Sequence, residues 1–459
     1  MLGTLLRPEY EALIAKKDWV SLRDAFSELH PADIAEVIQD LPTEQSGVIF
    51  RLLPRATAAQ VFEYLPLEKQ SEVVTTLGTE PLVNLLNEMA PDDRTRLFEE
   101  LPAEVTKRAL TTLRPEEQKV ARQLLGYPEK SAGRYMTPDY LALRDGMTAQ
   151  EALAFIRANG RGRETLNVVY VTDERGHLLG DLRLATLVLA ASDARVTDLK
   201  EPELVNLVAT APREEVVAAF EKYDRVALPV TDSQGVLVGI ITVDDVLDVA
   251  EQEATEDIQR LGGVEALEAP YLDTTFLEMV RKRGVWLAVL FLGELLTATA
   301  MGYFEKEIER AVVLALFVPL IISSGGNSGS QATSLVIRAF AVRELTLKDW
   351  WRVLGRELRS GLALGIILGV IGVMRVALWP WRAEQYGEHY WRLGITIGVS
   401  LLGTVLFGAV SGAMLPFILR RLGLDPATAS APFVATLVDV TGVAIYFSVA
   451  HLLLSGVIL

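Results

Sequence analysis

Five apolar segments in the C-terminal part of this 459-residue chain constrain its fold more than any other feature. Each is long enough to cross the hydrocarbon core of a bilayer, which is roughly 30 Å thick. Lipid offers the backbone no hydrogen-bond partners, so segments of this kind are expected to be helices. The segments run over Val285–Phe304, Ala311–Ile337, Gly361–Leu378, Leu393–Leu419 and Ala431–Leu459.

The loops between these segments predict their orientation. Arg and Lys concentrate before the first segment, between the second and third, and between the fourth and fifth, whereas the other two loops carry glutamates. Basic loops stay in the cytoplasm, so the N-terminus is predicted inside and the C-terminus outside the cell (inner) membrane. Met1–Arg51 has no long apolar core and no predicted signal peptide. The outer loop carries aromatic residues typical of lipid anchoring: Trp379, Trp381, Tyr386, Tyr390 and Trp391.

Two of the five segments carry polar groups at membrane depth. Asp439 is the one charged side chain between Ala431 and Leu459 when His451 is neutral, and no counter-ion is apparent in the run around it. Such a carboxylate is costly in lipid and marks an ion path by default. Glu294 is a second membrane carboxylate, which either faces a cavity or bonds a neighbouring helix. Because five spans cannot form two equal halves, a homodimer with two copies of Asp439 facing one path is predicted.

The second segment contains a glycine-rich run from Pro319 to Gln331. Pro319 is expected to break the helix ahead of a polar, pore-facing loop, since irregular backbone at membrane depth is tolerated beside a cavity. The alternative is close helix packing through small residues. The residues predicted to line the path are Pro319, Gly325, Gly326, Asn327, Gly329 and Gln331.

The composition excludes several classes of function. A net charge of −16 argues against nucleic acid as a partner and is compatible with cations. The chain has no cysteine and four scattered histidines, so any bound metal is expected to be held by oxygen atoms. No nucleophile–base arrangement or phosphate-cradling loop is apparent, and an enzyme is not predicted.

Residues 1–130 contain a repeat of twelve residues. A leucine or methionine recurs at this spacing, and proline follows it in most copies. Proline favours the first turn of a helix, so each unit predicts one short helix ending and the next beginning, stacked in a solenoid-like array. The repeated positions are Leu29, Leu41, Leu53, Leu65, Leu77, Met89, Leu101 and Leu113. The acidic side chains of this region are expected to be solvated charges on helix surfaces.

A second repeat has a period of 59 residues. The stretch from Val171 to Gly180 aligns with that from Val230 to Gly239, and each predicts strand, turn and strand after an amphipathic helix. The pattern resembles a tandem pair of CBS domains. Gly239, Thr242 and Asp245 match the adenosine-nucleotide signature of that family, whereas the first copy does not, so ATP is a possible ligand of the second copy.

The connector to the membrane segments is strongly acidic. From Asp244 to Glu278 there are eleven acidic residues and one basic residue, Arg260. A helix is predicted from Val243 to about Leu261, ending at Gly262 and Gly263. Carboxylates this dense repel one another unless cations bridge them, which favours a cation-sensing role over a merely solvated face. The candidate regulatory ligands are Asp244, Asp245, Asp248, Glu251, Glu253, Glu256 and Asp257.

The order of these parts resembles the MgtE family of magnesium channels and transporters. The Gly-Gly-Asn-x-Gly-x-Gln core ending at Gln331 and the run Pro432–Gly442 are specific to that family. The resemblance implies a homodimer whose pore is built from the second and fifth spans, with hydrated Mg²⁺ at Asp439 near the backbone of Ala435. It also implies that the acidic helix is a plug that closes the pore when Mg²⁺ binds the cytoplasmic domains. Sensor candidates in the N domain, by composition, are Glu63, Asp92 and Asp93.

The predicted protein is therefore a mainly α integral membrane protein with an α/β tandem CBS region. Its predicted parts are an α-helical repeat N domain (1–130), CBS domains (131–200 and 201–249), an acidic connecting helix (243–275) and five transmembrane helices (276–459). The first functional hypothesis is an Mg²⁺ channel for uptake, closed by intracellular Mg²⁺. The second is a transporter of Mg²⁺ or Co²⁺ coupled to Na⁺ or H⁺, and the third is a membrane-anchored nucleotide sensor. Oxygen ligands leave Mg²⁺, Co²⁺ and Mn²⁺ open.

Overall fold

The computed structural model describes residues 9–10, 12–39, 41–201, 203–267, 271–272, 274–428 and 430–456. The chain divides into two compact units, Met1–Glu251 and Gln252–Leu459. Glu268 and Asp273 of the acidic connector lie outside the described residues, as do the last three residues of the fifth apolar segment.

The twelve-residue repeat forms a stack of short helices, as predicted. Pro42, Pro54 and Pro66 each lie at the N-cap of a helix, where their missing N–H costs no hydrogen bond. From Pro31–Gln39 onward each helix packs against its second neighbour along the chain, and the junction leucines are buried between them. The helices run over Trp19–Ser27, Pro31–Gln39, Thr43–Leu52, Arg55–Glu63, Leu67–Thr76, Thr79–Glu88, Pro91–Glu100, Ala103–Thr112 and Pro115–Leu124.

The 59-residue repeat forms two sheets of identical topology. In each sheet the first strand pairs in parallel with the second, which pairs antiparallel with the third. Val171 lies opposite Gly180 in one sheet and Val230 opposite Gly239 in the other, so the register repeats with the sequence. The strands are β1 (Ala142–Arg144), β2 (Val168–Thr172), β3 (Leu178–Arg183), β4 (Leu207–Val208), β5 (Ala227–Thr231) and β6 (Leu237–Thr242). The helices of this region are Ala132–Tyr135, Ala149–Asn159, Leu184–Leu189, Val196–Leu199 and Arg213–Tyr223.

The turn inside each copy has the same chemistry. Asp173 Oδ1 accepts hydrogen bonds from the backbone N–H groups of Arg175 and His177, which closes an Asx turn. Asp232 closes the equivalent turn in the second copy. Gly176 and Gly235 follow at φ +86° and +82°, a conformation that glycine adopts without steric cost.

The acidic connecting helix begins directly after β6 and spans Val243–Leu261, the bounds that the sequence predicts. It ends at Gly262, and Gly263 adopts φ +71°. Within the described ranges, five further helices are long and apolar enough to cross a membrane. We name them M1 (Phe276–Tyr303), M2 (Val318–Ala341), M3 (Trp350–Ala377), M4 (Tyr390–Arg421) and M5 (Ala431–Leu454).

Short elements join the membrane helices: the helices Glu305–Arg310 and Arg382–Tyr386 and the 3₁₀ turns Val312–Phe317, Leu347–Asp349 and Pro426–Thr428. M1 and M3 begin well before the apolar segments predicted for them, at Phe276 rather than Val285 and at Trp350 rather than Gly361. Helical hydrogen bonding continues beyond the lipid, where charged side chains are hydrated, so hydropathy alone places these ends too late.

Candidate ion path and cation-sensing sites

The predicted loop between Gly325 and Gln331 is wrong, because M2 is one continuous helix through this run. Pro319 lies in its first turn, directly after a 3₁₀ segment, so the break that it makes precedes a helix rather than a loop. The alternative of close packing holds for Gly325 and Gly329, which are buried against M4 and M5. Tertiary contact with two helices outweighs the weak helix propensity of these glycines.

M2 and M4 touch backbone to backbone. A Cβ atom at Gly408 would overlap the carbonyl oxygen of Gly325, and one at Gly412 would overlap that of Gly329. Thr333 Oγ1 donates to the Gly412 carbonyl at 2.8 Å, and Ser328 Oγ donates to the Val405 carbonyl at 3.2 Å. The glycines thus bring the helices close enough for hydroxyl groups to bridge them.

This packing predicts an effect of Gly412→Ala. The added methyl group meets backbone atoms of M2 that cannot move alone, so we expect destabilisation by about 1–3 kcal/mol. Gly355→Ala on M3 is the matched control, since nothing lies within 4 Å of a Cβ at that site. Thermal unfolding of the detergent-solubilised protein should separate the two variants. Equal unfolding temperatures would show that M2 and M4 are not in backbone contact.

Asp439 lies half-buried in the first half of M5, beside the glycine-rich part of M2. A Cβ atom built on Gly326 would lie 3.5 Å from Ala435 Cβ and 3.9 Å from Asp439 Oδ1. Gly326, Ala435 and Asp439 therefore share one site. Without a side chain at Gly326, the carboxylate has room beside the M2 backbone.

One face of M2 is polar and exposed. Asn327 and Gln331 lie one turn apart on it, and neither is covered by the rest of the chain. Ser323 and Ser334 extend the same face. Amide and hydroxyl groups at membrane depth require water or a polar partner, so this face belongs against an aqueous path or another polar surface.

Glu294 on M1 joins the Asp439 site. Thr436 Oγ1, one turn before Asp439, donates to Glu294 Oε1 at 3.4 Å, and the Glu294 and Asp439 carboxyl groups lie close enough to interact electrostatically. Gly293 allows this approach, because a Cβ there would lie 2.5 Å from Thr436 Cγ2. The nearest ionisable neighbour of Asp439 is thus a second acid, and a cation or a proton between the two would relieve their repulsion.

A second acidic site lies in the first unit, and it contradicts the expectation of solvated charges there. Asp92 is 7% exposed, and its Oδ1 atom has no hydrogen-bond partner among the described residues. We call Glu63, Asp92, Asp93, Glu164 and Asp245 the acidic cluster, because their charges act on one another. They come from two helices of the repeat domain, the loop before β2 and the start of the connecting helix.

Burial and mutual repulsion disfavour the charged forms in this cluster. Burial, with the charges of Glu63 and Asp245, raises the pKa of Asp93 to about 8. Burial, with the charges of Asp245 and Asp244, raises the pKa of Glu164 to about 7. Burial also raises the pKa of Asp245 to about 6, against a hydrogen bond from Thr242 Oγ1 at 2.7 Å.

Among the described residues, Arg96 is the main cation that acts on this cluster. Arg96 attracts Asp93 and Asp245, but its guanidinium forms its ion pair with Asp248 at 2.9 Å. Within the described residues, no three histidine, aspartate or glutamate side chains are spaced to hold a metal ion directly. Mg²⁺ gives up its waters reluctantly, so carboxylates spaced too widely to bind the metal directly suit a hydrated ion bridged through water.

The far end of the connecting helix packs inside the second unit. Arg260 forms ion pairs with Glu256, at 3.2 Å, and with Asp425 of the loop between M4 and M5. Leu261 packs against Ile337 of M2 and Ala427. The C-terminal end of the connecting helix is therefore held beside the ends of M2 and M4.

Comparison with known proteins follows the same division. A family model described as divalent cation transporter matches residues 318–449, the MgtE intracellular N domain matches 29–130, and a CBS domain matches 196–251. A magnesium transporter MgtE of Thermus thermophilus is 40% identical over 443 residues, 96% of each chain. The chain belongs to the MgtE family. A Bacillus subtilis member is 31% identical over 428 residues, 93% of each chain.

Solved structures match about half of this chain. The crystal structure of the cytosolic domain of an Mg²⁺ channel MgtE in complex with ATP is 37% identical, with a TM-score of 0.51 over 53% of this chain and 100% of that chain. The soluble part of a magnesium transporter, 24% identical, has the same fold, with a TM-score of 0.52 over 55% of this chain and 99% of that one. The fold class predicted from sequence is confirmed, and the protein is a multi-pass membrane protein with cytoplasmic domains.

The nucleotide signature of the MgtE chain overlaps its acidic cluster. Gly239 packs against Met136. A Cβ atom built on Gly239 would lie 2.7 Å from the Met136 sulfur. Thr242 and Asp245 are hydrogen-bonded to each other, and Asp245 also belongs to the acidic cluster. The Asp245 carboxylate therefore belongs both to the predicted nucleotide site and to the predicted cation-sensing site.

Sequence reasoning missed the part that four residues play in these sites. Glu164 and Asp139 lie within the first CBS copy without a motif around them. The Glu164 backbone N–H donates to the Asp139 carbonyl oxygen at 2.9 Å, and the Asp139 charge acts on the Glu164 carboxyl group. Asp425 follows the basic pair Arg420 and Arg421 between M4 and M5. An acidic residue this close to two arginines is the local signal that could have pointed to it. For Arg260, the sequence indicates only that it is the one basic residue of the acidic connector.

Proposed function

We propose that two copies of this chain form an Mg²⁺-selective channel for magnesium uptake and homeostasis, closed by high intracellular Mg²⁺. The observation that carries the proposal is the Asp439 site, where a membrane carboxylate lies beside Gly326 and next to the exposed polar face of M2. Two such faces about a two-fold axis would enclose a polar path with a pair of Asp439 carboxylates. Hydrated Mg²⁺ would be recognised through its waters and released again.

The proposed orientation places the N-terminus and the CBS domains in the cytoplasm and the C-terminus outside, because the basic loops lie on one side. We assign the same parts as the sequence predicts, with the repeat domain, the two CBS domains and the connecting helix preceding the membrane domain. The names of the relatives support Mg²⁺ as the transported ion.

Gating is assigned to the acidic cluster and the connecting helix. Without Mg²⁺ the carboxylates of Asp93, Glu164 and Asp245 repel one another, and with Mg²⁺ they can be bridged. The connecting helix carries Asp245 at one end and Arg260 at the other, and Arg260 pairs with Asp425 beside the ends of M2 and M4. In the proposed mechanism, a change at the cluster would act through this helix. ATP at the second CBS copy is a further proposed ligand, supported by the ATP complex of a relative.

A second function is favoured by one observation. Glu294 and Asp439 form a pair of membrane carboxyl groups, an arrangement that suits exchange of a proton or Na⁺ for a divalent cation. The alternative is therefore an Na⁺- or H⁺-coupled transporter of Mg²⁺ or Co²⁺.

Recording from the full-length protein in liposomes with Mg²⁺ as the permeant ion tests the proposal. We expect unitary currents that close as Mg²⁺ rises on the cytoplasmic side. Slow flux without unitary events, lost when Na⁺ and proton gradients are removed and in Glu294→Gln, would replace the channel by the coupled transporter. Absence of Mg²⁺ flux under every gradient would reject both.

A further inference from the structure

Aromatic groups hold an arginine in place at the C-terminal end of M3, and the described part of the chain offers it no acidic partner. The Arg375 guanidinium stacks on the Trp379 ring, 3.7 Å from its centroid, and Nη1 donates to Tyr386 Oη at 3.3 Å. Among the described residues, no carboxylate oxygen lies within 4 Å of this guanidinium, although Glu384 and Glu388 are nearby in sequence. The charge is therefore oriented by aromatic groups and left for an external anion.

Arg375 stands at the rim of a shallow groove of about 360 Å³. Its walls are apolar and exposed, with Ile371 56% and Leu378 69% accessible, and Met374 lies between them. Trp379 completes the lining, and its indole Nε1 is buried without a hydrogen-bond partner in the described part of the chain. A buried N–H donor of this kind is rare unless a ligand accepts from it.

A second arginine repeats the arrangement next to the first. Arg382 lies over the Tyr390 ring at 5.2 Å, and its Nη1 donates to the Ala377 carbonyl at 3.1 Å, with no carboxylate oxygen within 4 Å among the described residues. Trp381 packs edge-on against Trp379 with the ring centroids 6.0 Å apart. One end of the membrane domain thus combines two uncompensated cations, a free indole N–H and an apolar groove.

We propose that this groove is a binding site for an anionic phospholipid. The lipid phosphate would accept hydrogen bonds from the Arg375 guanidinium and the Trp379 indole N–H, and an acyl chain would lie along Ile371, Met374 and Leu378. A guanidinium group can donate two parallel hydrogen bonds to the oxygens of one phosphate. A tryptophan that only anchors the helix in lipid does not need an unpaired indole N–H. A net anionic headgroup matches two cations, and a choline headgroup would bring a third positive charge to them.

The proposed orientation, on which this inference partly rests, places the groove in the outer leaflet. Arginine is disfavoured there by the distribution of basic residues in membrane proteins, so a specific anionic ligand accounts for its presence on aromatic supports. Lipid binding does not require transport, which keeps this inference separable from the proposed channel.

Native mass spectrometry of the purified full-length protein, with phosphatidylglycerol and phosphatidylcholine of equal chain length, tests the site. We expect retention of phosphatidylglycerol over phosphatidylcholine, and Arg375→Gln should weaken that retention about tenfold or more, the effect of losing a charge-assisted hydrogen bond. Trp379→Phe keeps an aromatic ring at this position but removes the indole N–H, and should weaken binding several-fold. Arg359→Gln, at the opposite end of M3, is the matched control and should leave binding unchanged.

Three outcomes would overturn the proposal. Equal lipid retention by Arg375→Gln and Arg359→Gln would place the lipid elsewhere. Displacement by soluble glycerol phosphate at equal concentration would make the ligand a free phosphate compound. Equal retention of the two lipids would reduce the groove to general lipid contact. Asp439→Asn should retain phosphatidylglycerol as the parent does, so failure of the channel and failure of the lipid site give different results.

Discussion

Replacing Asp439 by asparagine is expected to lower Mg²⁺ flux by about two orders of magnitude. The substitution keeps the shape of the side chain and removes the charge from each copy of the site beside Gly326. A hydrogen bond to a charged group contributes about 1.5–3 kcal/mol, so two lost charges amount to about 100-fold or more in ion binding. Flux of Mg²⁺ into dye-loaded liposomes measures the effect directly.

Asp439→Glu is the matched control, because it keeps the charge at the cost of one methylene group in a half-buried site. We expect it to retain a measurable part of the flux. Thermal unfolding of the three proteins should be similar, since the carboxylate contributes no ion pair with a cation to the described part of the fold. Parent-like flux in Asp439→Asn at equal incorporation would place the ion path away from M5.

Neutralising two members of the acidic cluster, with Asp93→Asn and Glu164→Gln together, is expected to remove most of the Mg²⁺ dependence of gating. The parent loses stability in its Mg²⁺-free compact form because these carboxylates are buried near one another. The double variant has less repulsion for Mg²⁺ to relieve and fewer groups for it to bridge. We expect a flattened closure curve in liposome recordings and a smaller stabilisation of the cytoplasmic unit by Mg²⁺.

The pH dependence of the same unit provides an independent measure. The pKa values of Asp93 and Glu164 are raised to about 8 and about 7, above their unfolded values near 4, so the folded unit binds more protons than the unfolded chain. Their contribution to stability is complete below about pH 4 and is lost as pH rises through about 7 to 8. In Mg²⁺-free buffer, the unfolding temperature of the parent should fall from pH 6 to pH 8, at about 2–4 °C per kcal/mol for a unit of this size.

The double variant should show a shallower slope, because Asp92 and Asp245 keep raised pKa values. Asp193→Asn with Glu174→Gln is the control, because it removes the same number of charges from exposed positions. Hydrogen exchange of the full-length protein locates the effect in the cytoplasmic unit. If the cluster variant and the surface variant have the same pH slope and the same response to Mg²⁺, the cluster is not the sensor.

The glycine-rich run of M2 shows where local sequence misleads. Glycine, serine and asparagine between Gly325 and Gln331 predict an irregular loop by propensity, yet the run is helical. Gly408 and Gly412 of M4 contact the M2 backbone at this point. These glycines lie about 80 residues further along the chain, so the local sequence of M2 does not predict the contact. Tertiary packing therefore turned the expected loop into a helix with one packed and one polar face.

The acidic cluster shows the complementary case. The carboxylates of Asp92 and Asp93 stand in the first turn of a helix, where acidic residues are common and solvated. Their burial depends on Glu164 and Asp245, which lie far along the chain and carry no spacing that links them to the repeat domain. Composition named Asp92, Asp93 and Glu63 as candidates, but the structure was needed to bring Glu164 to them.

The sequence by itself determined the features that depend on short-range chemistry. Proline positions and a twelve-residue period predict the stacked helices, and a 59-residue period predicts the two similar sheets. Hydropathy predicts the membrane helices, including the one that carries Asp439. The tertiary structure alone decided which distant groups meet, such as Glu294 with Thr436, 142 residues apart, and Arg260 with Asp425, 165 residues apart. Such contacts result from the packing of whole helices, and no local pattern of side chains records them.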